Sequence, residues 1–102
     1  MSVVRLKPMQ VDGHPVVGVE VALPKTNLLV ITTEKGYIMC GALDVALLNE
    51  KLADRRVLAG RAVGVRTLEE LLDAPLEMVT VEAEQLGIHA GTTGREALLH
   101  ML

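Results

Sequence analysis

Aromatic side chains are nearly missing from this sequence: there is one Tyr, no Phe and no Trp in 102 residues. That removes the stacking platforms on which proteins hold single-stranded nucleic acid. The core must be assembled from Val, Leu, Ile, Ala and Met. Cysteine occurs once, at Cys40, so no disulfide can form within the chain. One Cys and three scattered histidines, His14, His89 and His100, lack the spacing of a zinc site, and no metal is expected. Positive charge is also scarce. A formal net charge of −3 argues against nucleic acid and anionic membranes as partners. No uncharged apolar run reaches membrane-spanning length, and no N-terminal stretch has the charged-then-apolar layout of a leader peptide. Walker-type loops and dinucleotide fingerprints are absent too. The expectation is a cytoplasmic protein.

What is present is aliphatic surface. Half of the residues are hydrophobic, yet a chain of this length forms one domain and buries only a modest share of its unfolded surface. Apolar side chains left outside the core mark interfaces. A homo-oligomer is therefore expected.

Taken in order, Val3 to Val11 has strand character, with Pro8 tolerated only at an edge or a bulge. Asp12-Gly13 signals a hairpin turn. Val17, Val19, Val21 and Leu23 alternate with Gly18, Glu20 and Ala22, the pattern of a half-buried strand. Pro24 to Asn27 interrupts it, and Leu28 to Thr33 reads as a third strand. Lys35-Gly36 turns the chain back into a strand from Tyr37 to Cys40. Ala42 to Arg55 contains neither Gly nor Pro and reads as a helix, and Val57 to Val65 as a fifth strand. Strand, helix and strand in that length imply a parallel crossover. Thr67 and Glu70 form a capping box that opens a short helix through Asp73. Leu76 to Leu86 reads as a further helical segment, stopped by Gly87. Thr93 and Glu96 repeat the capping pattern before a terminal helix to Leu102. The fold class expected is α/β, more closely an α+β mixed sheet: N-terminal antiparallel hairpins, a strand-helix-strand crossover, then C-terminal helices, in one domain. Residues 1–35 form its β region, the expected site of oligomerisation, and residues 36–102 its α/β core.

The helix from Ala42 adds detail. Ala42, Ala46, Asn49 and Ala53 share one seam, where small residues let a helix lie close on a sheet. Asn49 on that seam is expected to satisfy a backbone group of the adjoining structure. Leu43 and Leu47 point elsewhere and are expected at a subunit contact.

The candidate chemistry gathers at one hinge. Cys40 and Gly41 stand between a strand and the start of a helix, where unpaired N–H groups and the dipole favour an anion or a thiolate. Gly41, Gly64 and Gly91 to Gly94 each precede a helix, but the threonines of the two capping boxes occupy free N–H groups at the later sites. Arg61 and Arg66 flank the fifth strand, and Lys25, Thr26 and Asn27 lie in a loop able to close over the same end. Ligands of open α/β sheets bind beyond the carboxyl ends of the strands. The expected ligand-binding set is therefore Gly41, Lys25, Thr26, Asn27, Arg61, Arg66 and Thr67. The catalytic candidates are Cys40 as nucleophile and, as its base, Asp44 or a histidine supplied across a subunit contact. Against them stand plainer readings: a buried cysteine ending a strand, and an acid that only complements a helix dipole.

Three groups of residues carry a family resemblance. They are the run Gly-Tyr-Ile-Met-Cys-Gly-Ala-Leu-Asp-Val-Ala-Leu-Leu-Asn from Gly36, the run Ala-Gly-Arg-Ala-Val-Gly-Val-Arg-Thr from Ala59, and Leu71-Leu72-Asp73-Ala74-Pro75-Leu76. Leu23-Pro24-Lys25-Thr26-Asn27 and the run from Gly94 to Leu99 match as well. Together they resemble the YunC-like family of small bacterial and archaeal proteins. The resemblance implies an α/β domain whose N-terminal strands help to assemble a tetramer, and it implies no activity or cofactor. Three functions remain open: binding of a small molecule or anion around Cys40-Gly41, a cysteine-dependent acyl or thiol transfer, and a structural assembly module without a ligand.

Overall fold

A computed structural model describes residues 3–41, 45–50 and 53–102. Among these, six strands form one mixed sheet in sequential order. They are β1 (Val4–Val11), β2 (His14–Leu23), β3 (Thr26–Thr32), β4 (Tyr37–Met39), β5 (Ala59–Arg61) and β6 (Met78–Val79). The helices are α1 (Val45–Glu50), α2 (Leu68–Asp73), α3 (Val81–Gln85) and α4 (Gly94–His100), with a 3-10 turn at Ala53–Arg55. The expected α+β mixed sheet is what the chain forms.

The N-terminal half is an antiparallel meander. Asp12 and Gly13 both take positive φ, 50° and 83°, which is the signature of a two-residue type I′ turn. Val11 thereby faces His14, and the register continues to Val4 opposite Val21. Pro8 lies on β1, the outer strand, as its missing N–H requires. β4 returns antiparallel to β3 and then pairs in parallel with β5. The intervening connection carries α1, and Arg56 closes it with a φ of 52°.

One expectation needs correction. The region from Leu76 does not start as a helix. Glu77 and Thr80 donate their N–H groups to the Arg61 and Ala59 carbonyls at 2.7 and 3.0 Å, making β6 an edge strand against β5. The unfilled edge of β5 outweighs local helix propensity here, and α3 begins only after Thr80 caps it by accepting from the Ala83 N–H. β2 shows the expected alternation, and Val17, Val19 and Val21 face away from the main core. Val16 is 3% exposed whereas Val17 is 43% exposed. Gly18 faces the core, where an added Cβ would stand 2.8 Å from Leu68 Cδ1. That glycine lets α2 settle onto the sheet.

The main core therefore lies on one side. Leu29, Ile31 and Ile38 of the sheet meet Leu68, Leu71, Leu76, Ile88 and Leu98. A smaller cluster on the other side joins Val45 of α1 to Ala59, with Tyr37, Met39, Leu48 and Val57 around it. That second cover does not extend over β1 to β3. Val4, Leu6 and Val17 are 57, 71 and 43% exposed there, with Val19, Val21 and Val30 half-buried beside them. Residues directly opposite in an antiparallel register share a face, which makes these six a continuous aliphatic surface.

Caps set the remaining elements. Thr67 and Glu70 form the full capping box of α2. At α4 Thr93 accepts from the Glu96 N–H, which is half of the expected pattern. Gly87 stops α3 with a φ of 87°. The Asn49 side-chain oxygen accepts from the Val81 N–H at 3.0 Å, so it serves the first turn of α3. An ion pair between Lys7 and Glu69 links β1 to α2 and lowers the Glu69 pKa, first through the hydrogen bond itself. The helix expected over residues 42–44 and 51–52, including Leu43 and Asp44, lies outside the described residues.

Gly94 is the position least able to change. A Cβ there would collide with the Leu71 carbonyl oxygen, and Ile38 Cδ1 lies 2.8 Å away. Backbone cannot yield as a flexible side chain can. Gly94→Ala is expected to lower unfolding stability by roughly 1–3 kcal/mol in a urea titration. An unchanged midpoint would mean that α4 can shift away from α2 at no cost.

Candidate functional site

The parallel pair β4–β5 sends two chain ends to the same rim of the sheet. β4 leads into Cys40 and Gly41, and β5 leads through Ala62 toward Val65 and Arg66. β3 runs the opposite way, so its first residues, Thr26 and Asn27, stand at that rim too. The β2–β3 turn brings in Lys25. Its φ of 65° is the left-handed conformation that a type II turn demands after Pro24 and that glycine fills more readily.

Two adjoining depressions occupy this rim. One, of about 510 Å³, is lined by Lys25, Thr26, Asn27 and Arg66 over Leu23 and Val65. The other, of about 330 Å³, shares Leu23, Thr26, Asn27 and Val65 with it and continues to Leu28, Cys40 and Gly41. Six expected site residues are thus brought together: Lys25, Thr26, Asn27, Cys40, Gly41 and Arg66. Leu23, Leu28 and Val65 also line the site, although sequence reasoning treated them only as strand residues. Their signal was available in part, since Leu23 ends an alternating strand next to a Pro and is 45% exposed.

Two expected members lie elsewhere. Arg61 reaches across to β6, where its guanidinium pairs with Glu77 and donates to Met78 Sδ at 3.0 Å. The Thr67 hydroxyl accepts from the Glu70 N–H at 3.0 Å and lines neither depression. Asp44 lies outside the described residues.

Cys40 forms part of the floor. It is 8% exposed and belongs to the main hydrophobic core. Its N–H donates to the Leu29 carbonyl at 3.0 Å. The Leu29 N–H in turn donates to Sγ at 3.5 Å, and the Asn27 carbonyl oxygen lies 4.0 Å from the sulfur. Among the described residues the donor to the sulfur is therefore a strand amide. Neither depression is lined by a histidine.

Charge distinguishes this rim from the rest of the surface. Arg5, Lys7, Arg56, Arg61 and Arg95 each pair with a carboxylate. Among the described residues, Lys25 and Arg66 have no such partner, nor do the side chains of Thr26 and Asn27 make hydrogen bonds. Among the described residues Arg55 and Lys35 likewise pair with no carboxylate side chain, Lys35 donating to the Leu102 oxygen at 3.0 Å, and neither lines these depressions. A larger depression, about 660 Å³, lies at the opposite end of the sheet by Pro8, Pro15 and Thr33. Its single charged lining residue is the acid Glu34, so size alone does not favour it.

A mixed sheet with helices on both sides and a polar rim beyond its parallel strands defines an α+β domain of recognisable kind. Residues 39–101 match the family model described as a domain of unknown function (DUF1805), and the chain belongs to that family. It is 62% identical over 99 residues to the Bacillus subtilis (strain 168) protein named uncharacterized protein YunC, covering 97% of this chain and 98% of that one. Its fold is also similar to the crystal structure of TA1206 from Thermoplasma acidophilum, described as a protein of unknown function. The TM-score is 0.86 at 28% identity, with 97% of this chain and 93% of the other covered.

Burial of the thiol has a direct consequence. Iodoacetamide should label Cys40 much more slowly in the native protein than in denaturant, because the thiolate must be reached to react. Equal rates would show that the sulfur is freely presented.

Proposed function

We propose that this chain is an oligomeric α+β protein that binds a small anionic molecule at the rim formed by Lys25, Thr26, Asn27, Cys40, Gly41 and Arg66. One observation carries the reading. The side chains of Lys25 and Arg66 line a single depression and form no ion pair among the described residues, while five other cations are neutralised in ion pairs. The Glu70 carboxylate next to Arg66 accepts from the Arg66 and Thr67 N–H groups at 2.7 and 3.1 Å. Two like charges held near one another favour an anion between them. Thr26 and Asn27 line the same depression. A Cys40-dependent transfer reaction has less support, because the sulfur is largely buried and no histidine lines its cavity.

The second part of the proposal is assembly through the open aliphatic face of β1 to β3. The register argues for face contact over strand addition. The Ala22 N–H donates to the Val3 carbonyl, so Arg5, Lys7 and Met9 make the ladder bonds to β2. Val4, Leu6, Pro8 and Gln10 then turn their backbone groups outward, and Pro8 has no N–H to offer. An added strand would meet a gap at mid-length. The apolar face has no such interruption, and Leu47 of α1, 44% exposed, extends the apolar surface of the protomer. A tetramer is the assembly that the family resemblance implies.

Binding is tested by titrating inorganic phosphate while thermal unfolding is followed, since a ligand of the native state raises its stability. Lys25→Ala and Arg66→Ala should each weaken the interaction about tenfold, the loss of one charge-assisted contact. No stabilisation by any anion would contradict the binding reading. For assembly, Leu6→Glu should lower the mass measured by light scattering and leave the circular dichroism spectrum intact. An unchanged mass would exclude this face as the contact.

A further inference from the structure

We infer that the ligand of this rim is an amphipathic anion: a carboxylate or phosphate group joined to a short aliphatic chain. The inference rests on the binding reading above and adds the ligand's shape and polarity. The two depressions differ in chemistry. The outer one is lined by the charged residues Lys25 and Arg66 together with Thr26 and Asn27. The inner one continues to Leu28, Cys40 and Gly41 and carries no charged lining residue. The apolar residues Leu23 and Val65 line both.

A bare inorganic anion would use only the outer part. A molecule charged at both ends would push its second charge against Leu28 and a largely buried thiol, with no described counter-charge there to offset desolvation. A cationic ligand would face Lys25 and Arg66. The remaining chemistry is a single anionic head with an uncharged tail. The head sits between the two cations, where planar guanidinium favours bidentate contact with carboxylate or phosphate. The tail lies over Leu23 and Val65 toward Cys40. No bond to sulfur is required.

Isothermal titration calorimetry of the intact protein tests this with sodium acetate, sodium hexanoate, inorganic phosphate, hexyl phosphate, hexan-1-ol and hexylamine. A fully buried methylene is worth roughly fourfold in affinity, so partial burial of the longer chain should yield a gain of about tenfold or more. Hexanoate should therefore bind at least about tenfold more tightly than acetate, or hexyl phosphate more tightly than phosphate by the same factor. Either result supports the inference, and the stronger pair identifies the headgroup. Hexan-1-ol and hexylamine should not bind. The double variant Lys25→Ala/Arg66→Ala should lose hexanoate and hexyl phosphate binding; both side chains are exposed and bonded to nothing described, so the fold should be retained. Equal affinity for short and long anions would overturn the inference yet leave an anion site. Failure of every anion to bind would overturn the binding reading itself. Hexanoate binding that survives in the double variant, or is matched by hexan-1-ol, would also overturn it, by placing the chain on the open sheet face.

Discussion

Parallel pairing of β4 with β5 is the constraint on which the remaining structure depends. Tyr37, Ile38 and Met39 lie beside Ala59, Gly60 and Arg61 in the same direction. A chain cannot join parallel neighbours by a tight turn, so it must cross a face of the sheet. Here α1 lies on that crossing and covers one face at β4 and β5, while α2 and α4 pack on the other. The pairing also aligns the exits of both strands. Cys40-Gly41 and Val65-Arg66 reach one rim for that reason, and the antiparallel β3 delivers Thr26 and Asn27 to meet them. The candidate site is a consequence of topology before it is a matter of any single side chain.

The same arrangement leaves the sheet unevenly covered. Helices occupy one face along most of its length and the other only near α1. Val4, Leu6, Val17, Val19, Val21 and Val30 remain as an aliphatic surface on a protein with almost no aromatics. On the core side Gly18 and Val16 occupy the positions that alternate with Val17 and Val19. One alternation thus serves two purposes: its small residues admit α2, and its valines face outward. Assembly of copies through this surface would complete the burial that one chain leaves unfinished.

Much of the local structure was legible in the sequence because its causes are local. Asp12-Gly13 dictates the first turn, Thr67 and Glu70 start α2, and Gly87 ends α3. What failed depended on distant partners. Alternation in β2 cannot say which face receives Leu68, since α2 arrives some 50 residues later. Leu76 to Thr80 looked helical because the open edge of β5, which accepts the Glu77 and Thr80 amides, is not visible locally. The same β6 segment places Glu77 beside Arg61, away from the rim that Lys25 and Arg66 share. Lys25, Asn27, Cys40 and Arg66 lie at one rim because strand direction alone brings their ends together. Leu23 and Val65 were overlooked as lining residues because turn and loop geometry decide their exposure.

The proposed function requires the rim between Lys25, Arg66 and Cys40 to hold a small anion. Amide chemical shifts of ¹⁵N-labelled protein, followed by NMR during addition of hexanoate, test it most directly. The expected result is a saturable response confined to Thr26, Asn27, Gly41, Val65 and Arg66. A response centred on Val4, Leu6 and Val19, or none at all, would contradict it.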